Sequence, residues 1–188
     1  LAVVATITVG QSLCDLVADD AGRHVYVSDD GPERLLVLDP LTGHTTGQYP
    51  VGDSLCSIAL DPQGPTVYAP TWHRSGPNRY DGSQVETINA DTGALKTFPD
   101  GQYPSGPYFD EQKRVLYVGN TAQSSLFSID AATGATKTLA LPVRINRVAV
   151  SSKNGWLYLA SPGDNQVVVV DPASDKVVTS LVAGQRPW

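Results

Sequence analysis

The fold class predicted for this 188-residue chain is all-β, a β-propeller of four-stranded blades, and three observations carry the prediction. A ten-residue lead-in recurs four times, strand-like blocks follow each recurrence in a fixed order, and no window shows helical periodicity. A sandwich of short strands would leave the units out of register with one another, and they are in register.

The lead-ins come first. "GQSLCDLVAD" from Gly10 and "GDSLCSIALD" from Gly52 share Gly, Ser, Leu, Cys and Asp in register, and "GQYPSGPYFD" from Gly101 and "PVRINRVAVS" from Pro142 open the next two units. The expected units are 10–51, 52–100, 101–141 and 142–183, the second lengthened by an insertion around "WHRSGPNRYDGS". Each then repeats a second block, "HVYVSD", "TVYAPT", "VLYVGN" and "WLYLAS", which aligns Tyr26, Tyr68, Tyr117 and Tyr158. A third block follows as "LLVLDPLTG", "VETINADTG", "LFSIDAATG" and "VVVVDPASD", and the last is Thr- and Val-rich, as in "KVVTSLVAG". Every block is short, rich in β-branched or aromatic residues and bounded by turn formers, which is how a strand reads. Four such strands in roughly 40 to 50 residues make a propeller blade, a small sheet that must bury both faces against its neighbours.

The turns have a chemical logic. Asp39, Asn89 and Asp130 stand where a side chain can bond the backbone of a tight turn, and Gly43, Gly93 and Gly134 stand where positive φ is needed. The fourth copy puts Asp175 at that glycine position, so a looser turn is expected there. The opening "LAVVATITVG" aligns with "DKVVTSLVAG", so residues 1–9 read as a surplus outer strand.

Composition narrows the function. Charged residues are 17% of the chain, the formal net charge is −6 and no Lys or Arg run occurs, which leaves no electrostatic footprint for nucleic acid or an anionic membrane. No apolar run approaches the ~20 residues that span a bilayer. A soluble, exported protein, extracellular or periplasmic, is expected from the Thr, Ser, Gly and turn-residue content. The chain opens on Leu1 and holds no Met, which reads as processing or trimming.

"LYVGN", then "SIDAATGATKT" and a following Pro- or Gly-containing lead-in, resembles the YVTN-type propeller repeat over nearly the whole chain. Asn120 keeps the motif's Asn, whereas Asp29, Thr71 and Ser161 replace it. The resemblance implies about seven blades. A piece of a larger ring is therefore the leading expectation, ahead of a four-bladed ring and of two chains completing an eight-bladed one. Relatives implied by the resemblance include lactonases, streptogramin-type lyases, amine dehydrogenase subunits and surface-layer proteins, so it says little about activity.

In a propeller, the loops entering the innermost strands and those joining second to third strands share one face, and ligands are expected there. The insertion supplies a long irregular loop on that face, and such loops tend to bind. Trp72, His73, Arg74, Arg79 and Tyr80 offer stacking surface, an imidazole and two anion-binding forks, suiting a small anionic or carbohydrate ligand. Arg144 and Arg147 extend the set from "RINR", while Asp15, Asp29, Asp30 and Asp164 supply acidic groups at the same mouth. An ordinary decorated loop with solvated charges is the structural alternative.

Cys14 and Cys56 fall at equivalent positions one unit apart. Buried free thiols packing as small apolar groups are expected; a bridge is allowed, and a metal site is poorly supported without CxxC spacing. His24, His44 and His73 have no ligand spacing, and no HExxH, GxSxG or phosphate-loop pattern occurs. No cofactor is evident, although the lactonase and lyase resemblance implies that a divalent cation is to be considered. The expected function is binding or scaffolding of a ligand or protein partner on the face carrying residues 72–83. The alternatives are a metal-assisted lactonase or lyase and a docking subunit of a redox complex. Self-association to complete the ring is among the partner expectations.

Overall fold

The computed structural model describes residues 3, 6–76, 79–99 and 103–187, with the side chains of 79–81 left aside. Among the described residues the chain is all-β: four sheets of four antiparallel strands, each a meander whose spatial order follows the sequence. Blade 1 comprises β1 (Leu13–Ala18), β2 (Val25–Asp29), β3 (Arg34–Leu38) and β4 (Thr45–Pro50). Blade 2 comprises β5 (Ala59–Asp61), β6 (Thr66–Gly76), β7 (Arg79–Asn89) and β8 (Leu95–Pro99). Blade 3 comprises β9 (Pro104–Asp110), β10 (Val115–Asn120), β11 (Ser125–Asp130) and β12 (Thr136–Ala140). Blade 4 comprises β13 (Arg147–Val150), β14 (Leu157–Ser161), β15 (Gln166–Asp171) and β16 (Lys176–Val182).

The innermost strands adjoin in order, β1 beside β5, β5 beside β9 and β9 beside β13, as consecutive blades of a propeller do. Side chains alternate between the two faces of each sheet, and paired residues of adjacent strands share a face. One face of each blade points back to the preceding blade and the other forward to the next. Tyr26, Leu35 and Val37 of blade 1 pack forward on Val67, Ala69 and Ile88. Tyr68 and Val85 of blade 2 pack on Leu116, Val118, Phe127 and Ile129. Tyr117 and Leu126 of blade 3 pack on Leu157, Leu159, Val168 and Val170. The aligned tyrosines thus occupy equivalent settings in three blades, each buried by the blade that follows.

Outer strands add to these seams. Tyr49, opposite Leu35, packs into the first seam and its hydroxyl donates to the Ala90 carbonyl at 2.6 Å. Phe98 and Leu139 take the corresponding places in the next two. Asp61 and Arg114 join blades 2 and 3 through a two-pronged ion pair, with the guanidinium 5.2 Å from the centre of the Phe109 ring.

The turns form as their residues require. Asp39 accepts from the Leu41 and Thr42 amides, Asn89 from Asp91 and Thr92, and Asp130 from Ala132 and Thr133. Gly43, Gly93 and Gly134 have φ near +70°. Asp175 also adopts positive φ, 56°, and its carboxylate pairs with Lys137 of blade 3, so the aspartate takes the same backbone conformation and adds an inter-blade contact. Residues 6–9 form no strand, and residues 1, 2, 4 and 5 of the surplus strand expected over 1–9 lie outside the described residues. Val9 instead lies against Val25, Val27, Leu36 and Leu38 on the backward face of blade 1.

Candidate functional site

The segment from Leu141 to Arg147 builds the floor of the site. Leu141 donates its amide to Ser124, Ile145 to Asn120 and Asn146 to Ala160, so the segment is pinned to blade 3 on one side and blade 4 on the other. Its side chains alternate: Val143 and Ile145 are buried, while Arg144 between them is exposed. Two glycines of blade 3 permit the close approach. A Cβ on Gly106, which has φ +55°, would lie 2.0 Å from the Asn146 carbonyl, and one on Gly119 would lie 2.8 Å from that of Ile145. Only glycine fits against backbone at such distances.

Above this floor a cavity of about 440 Å³ opens between blades 3 and 4. Its polar wall is formed by Thr121, Ser124, Arg144, Asn146 and Asp164, its apolar wall by Pro142, Val143, Ile145 and Pro162. Asp164 accepts from the Ser161 hydroxyl at 2.7 Å, which fixes it at the rim. All three contributing segments belong to the two loop classes expected to share a face: the β10–β11 and β14–β15 connections and the lead-in to β13.

The insertion adjoins this wall. It was expected as an irregular loop, but β6 and β7 extend into it as a two-stranded ribbon, with Trp72 opposite Ser83, His73 opposite Gly82 and Arg74 opposite Tyr80. Ladder hydrogen bonds set this regularity where side-chain alternation is absent. Trp72 packs edge-on against Tyr103 at 5.0 Å between ring centres, and its indole N–H donates to the Pro104 carbonyl at 3.2 Å. The Ser83 hydroxyl accepts from the Tyr103 amide at 2.9 Å, and the Tyr103 carbonyl accepts from both the amide and hydroxyl of Thr121. A continuous run therefore leads from the ribbon through Tyr103 and Thr121 to the cavity.

The described candidate residues lie in two groups, on the ribbon and at the lead-in to β13. Trp72 is at the base of the ribbon, half-buried; His73 and Arg74 are exposed further out. The Arg74 amide donates to the Asp53 carboxylate at 2.6 Å. Burial pushes the Glu33 carboxyl up, and a hydrogen bond with Asp53 and that group's charge push it further, while the Arg74 charge pulls it down. The Arg74 guanidinium thus sits in the field of the Glu33 carboxyl, which diminishes it as an anion fork. Arg79 and Tyr80 belong to β7 by backbone, and their side chains lie outside the described residues. Arg144 lines the cavity; Arg147 begins β13 beyond it, its stem against Gly106.

Asp29 is structural. Wholly buried, its carboxylate accepts from the Gln11 and Ser12 amides and from Arg34. Burial alone would raise its pKa, but these hydrogen bonds and the Arg34 charge outweigh it and hold the group below its ordinary value. Asn120, the equivalent residue in blade 3, instead accepts from the Ala122 and Gln123 amides and shapes the loop beside the cavity. Asp15 has a similar framework role, accepting from the Ile58 amide across the blade 1–2 seam.

The cysteine expectation is corrected. Cys14 and Cys56 form a disulfide, with Cα atoms 4.9 Å apart, and both are exposed rather than buried. The reason is convergence: equivalent lead-ins of adjacent blades meet near the axis. The Asp30 carboxylate lies within 4.8 Å of both sulfurs, the one cluster of three potential metal ligands among the described residues. Sulfurs bonded to each other are not thiolates, so this donor set does not suit a divalent cation.

Sequence reasoning did not single out Tyr103, Thr121, Ser124 or Asn146. The alternation of Val143, Arg144 and Ile145 was the available signal for the floor, whereas the Tyr103–Thr121 contact had none.

No family model and no curated protein sequence matches the chain. Solved structures do. The dihydro-heme d1 dehydrogenase NirN in complex with DHE superposes with a TM-score of 0.77 at 15% identity, over 92% of this chain and 38% of that one. Kuenenia stuttgartiensis hydrazine synthase gives 0.77 at 18% identity, over 96% and 53%. A nidogen/laminin complex gives 0.69 at 22% identity, over 88% and 62%. These likenesses establish the propeller fold, and the chain spans less than two thirds of each neighbour's length.

Proposed function

We propose that this propeller is a binding module, holding a small anionic ligand in the cavity between blades 3 and 4 with the 72–83 ribbon as an accessory wall. The observation that carries the reading is Arg144: an exposed guanidinium held by a doubly anchored backbone beside Thr121, Ser124 and Asn146. The lining carries one cation, the Asp164 carboxylate at the rim and several neutral hydrogen-bonding groups. A ligand carboxylate is suited to the Arg144 side, where the guanidinium pairs with it in a fork and the neutral groups fix its orientation. The likeness to a structure with DHE bound and to a nidogen/laminin complex supports binding as a use of this scaffold.

The exposed disulfide supports an oxidising location, extracellular or periplasmic. Among the described residues, no helix is long and apolar enough to cross a membrane.

Calorimetric titration with a panel of mono- and dicarboxylates and neutral oligosaccharides tests the reading. Carboxylates should bind, and Arg144→Ala should weaken them at least about tenfold, equivalent to ~1.4 kcal/mol. Trp72→Ala should have a smaller effect, through the Tyr103–Thr121 run. Carboxylate binding unchanged by Arg144→Ala, or a preference for neutral sugars, would refute it.

A further inference from the structure

The outer edge of each seam between blades repeats two positions, and the three seams fill them differently. Strand register makes Gly47, Lys96 and Lys137 equivalent on β4, β8 and β12: they pair with Val37, Thr87 and Ser128, which in turn pair with Tyr26, Tyr68 and Tyr117. The second position comes from the turn of the following blade, and it holds Gly93, Gly134 and Asp175, all at positive φ. The first seam therefore has glycine at both places. The third has Lys137 and Asp175, which form an ion pair. The second has the lysine without the carboxylate, Lys96 with Gly134, and no ion pair joins Lys96 to a described residue.

A cavity of about 300 Å³ lies at that edge of the second seam, with Lys96 and Gly134 both in its wall. The corresponding cavity of the third seam, with Lys137 and Asp175 in its wall, measures about 150 Å³. Phe98 and Ile129 give the larger cavity an apolar side, and Tyr68 and Thr87, both buried, bring hydroxyl-bearing side chains to it. Burial pushes the Tyr68 hydroxyl up to about 12, so it remains a donor at neutral pH. Two acids also line this space. Asp61 is neutralised by its two-pronged pairing with Arg114, and Asp130 is engaged by the Ala132 and Thr133 amides of its own turn. The equivalent Asp171 is bonded within its turn in the same way, and Lys137 and Asp175 pair beside it. An acid at this turn is thus compatible with a carboxylate on the neighbouring lysine.

We propose that this cavity is a second anion site, in which the carboxylate of a small acid with an apolar body occupies the place that Asp175 fills in the next seam and pairs with Lys96. The repeat identifies the ligand's charged group, and the Phe98 and Ile129 wall identifies its body. The site opens on the face opposite the Arg144 cavity, because its loops join first to second and third to fourth strands.

The test is a heteronuclear NMR titration of the 188-residue chain with benzoate and, as the neutral control, benzyl alcohol, each to about 10 mM, in an Arg144→Ala background that removes the cation of the other cavity. Benzoate should shift the amides of Lys96, Phe98 and Gly134 along one saturating curve, and benzyl alcohol should not. Lys96→Ala should weaken benzoate at least about tenfold. Gly134→Asp supplies the missing carboxylate within the chain and should abolish binding. Asp175 already adopts that backbone conformation, and a Cβ at Gly134 meets nothing closer than Phe98 at 3.8 Å, so the variant should fold, which its melting curve verifies. Absence of shifts at this turn, equal binding of benzyl alcohol, or benzoate affinity unchanged by Lys96→Ala or by a folded Gly134→Asp would overturn the proposal. Carboxylate binding at Arg144 is read separately, in the chain that retains that residue, so failure of one site is distinguishable from failure of the other.

Discussion

Gly106→Ala is predicted to be the most damaging of a graded set of glycine substitutions, because two independent costs coincide at that position. The first is conformational: φ is +55°, and an L-residue held in the left-handed region costs about 1–2 kcal/mol. The second is steric. The new Cβ would lie 2.0 Å from the Asn146 carbonyl oxygen and 2.9 Å from the Arg147 Cα, so β9 and the lead-in to β13 would have to part by more than an ångström. Overpacking adds about 1–3 kcal/mol. Together they amount to roughly 2–5 kcal/mol, or a fall in Tm of about 5–15 °C for a domain of this size. Three companions separate the contributions. Gly119→Ala has only the steric cost, at 2.8 Å from Ile145; Gly22→Ala has only the conformational one, with φ +63° and open space around it; Gly163→Ala has neither. Urea unfolding of the four variants should rank Gly106 worst, Gly119 and Gly22 between, and Gly163 within about 1 kcal/mol of wild type. If Gly106→Ala proved as stable as Gly163→Ala, the seam under the cavity would not be packed as described.

Two further outcomes are expected. Cys14→Ser/Cys56→Ser should cost about 3–4 kcal/mol in urea unfolding, from the loop entropy of a bridge between residues 42 apart, and a reductant should shift the wild type by a similar amount while leaving the double variant unmoved. Glu86→Gln should stabilise the protein at pH 7 and not at pH 4. Burial lifts the Glu86 carboxyl above its ordinary 4.5, only partly offset by donation from the Gly52 amide and Gln84. The folded state therefore holds that proton more tightly than the unfolded chain. This contribution is present below pH 4.5 and is lost as pH rises through the folded value. Denaturant midpoints of both proteins across that range give the comparison, and a pH-independent difference would contradict it.

How far the sequence disclosed the molecule depended on whether the controlling interaction was local. Blades were legible because each one repeats the same short blocks, and turns were legible because Asp39 and Gly43, Asn89 and Gly93, and Asp130 and Gly134 bond within five residues. The cysteines were misread because spacing in the chain carries no information about which lead-ins converge at the axis. The ribbon was missed for a related reason: its regularity comes from cross-strand amide bonds, to which "WHRSGPNRYDGS" gives no alternating pattern. Arg144, singled out from "RINR", lines the candidate cavity, where its exposure between buried Val143 and Ile145 follows the alternation of the sequence. The dependence of its surroundings on Tyr103 and Thr121 arises only when successive blades meet.

The meander has a consequence for how the molecule comes apart. Every strand partners its sequence neighbours and every blade its adjacent blades, so cohesion is distributed along a line rather than pooled in a single centre. Loss of order then proceeds stepwise from whichever terminus is less fastened. The covalent clasp between Cys14 and Cys56 secures the first two sheets, so an isolated chain should fray from its carboxyl-terminal quarter inward, leaving the amino-terminal pair as the last refuge of protected amides.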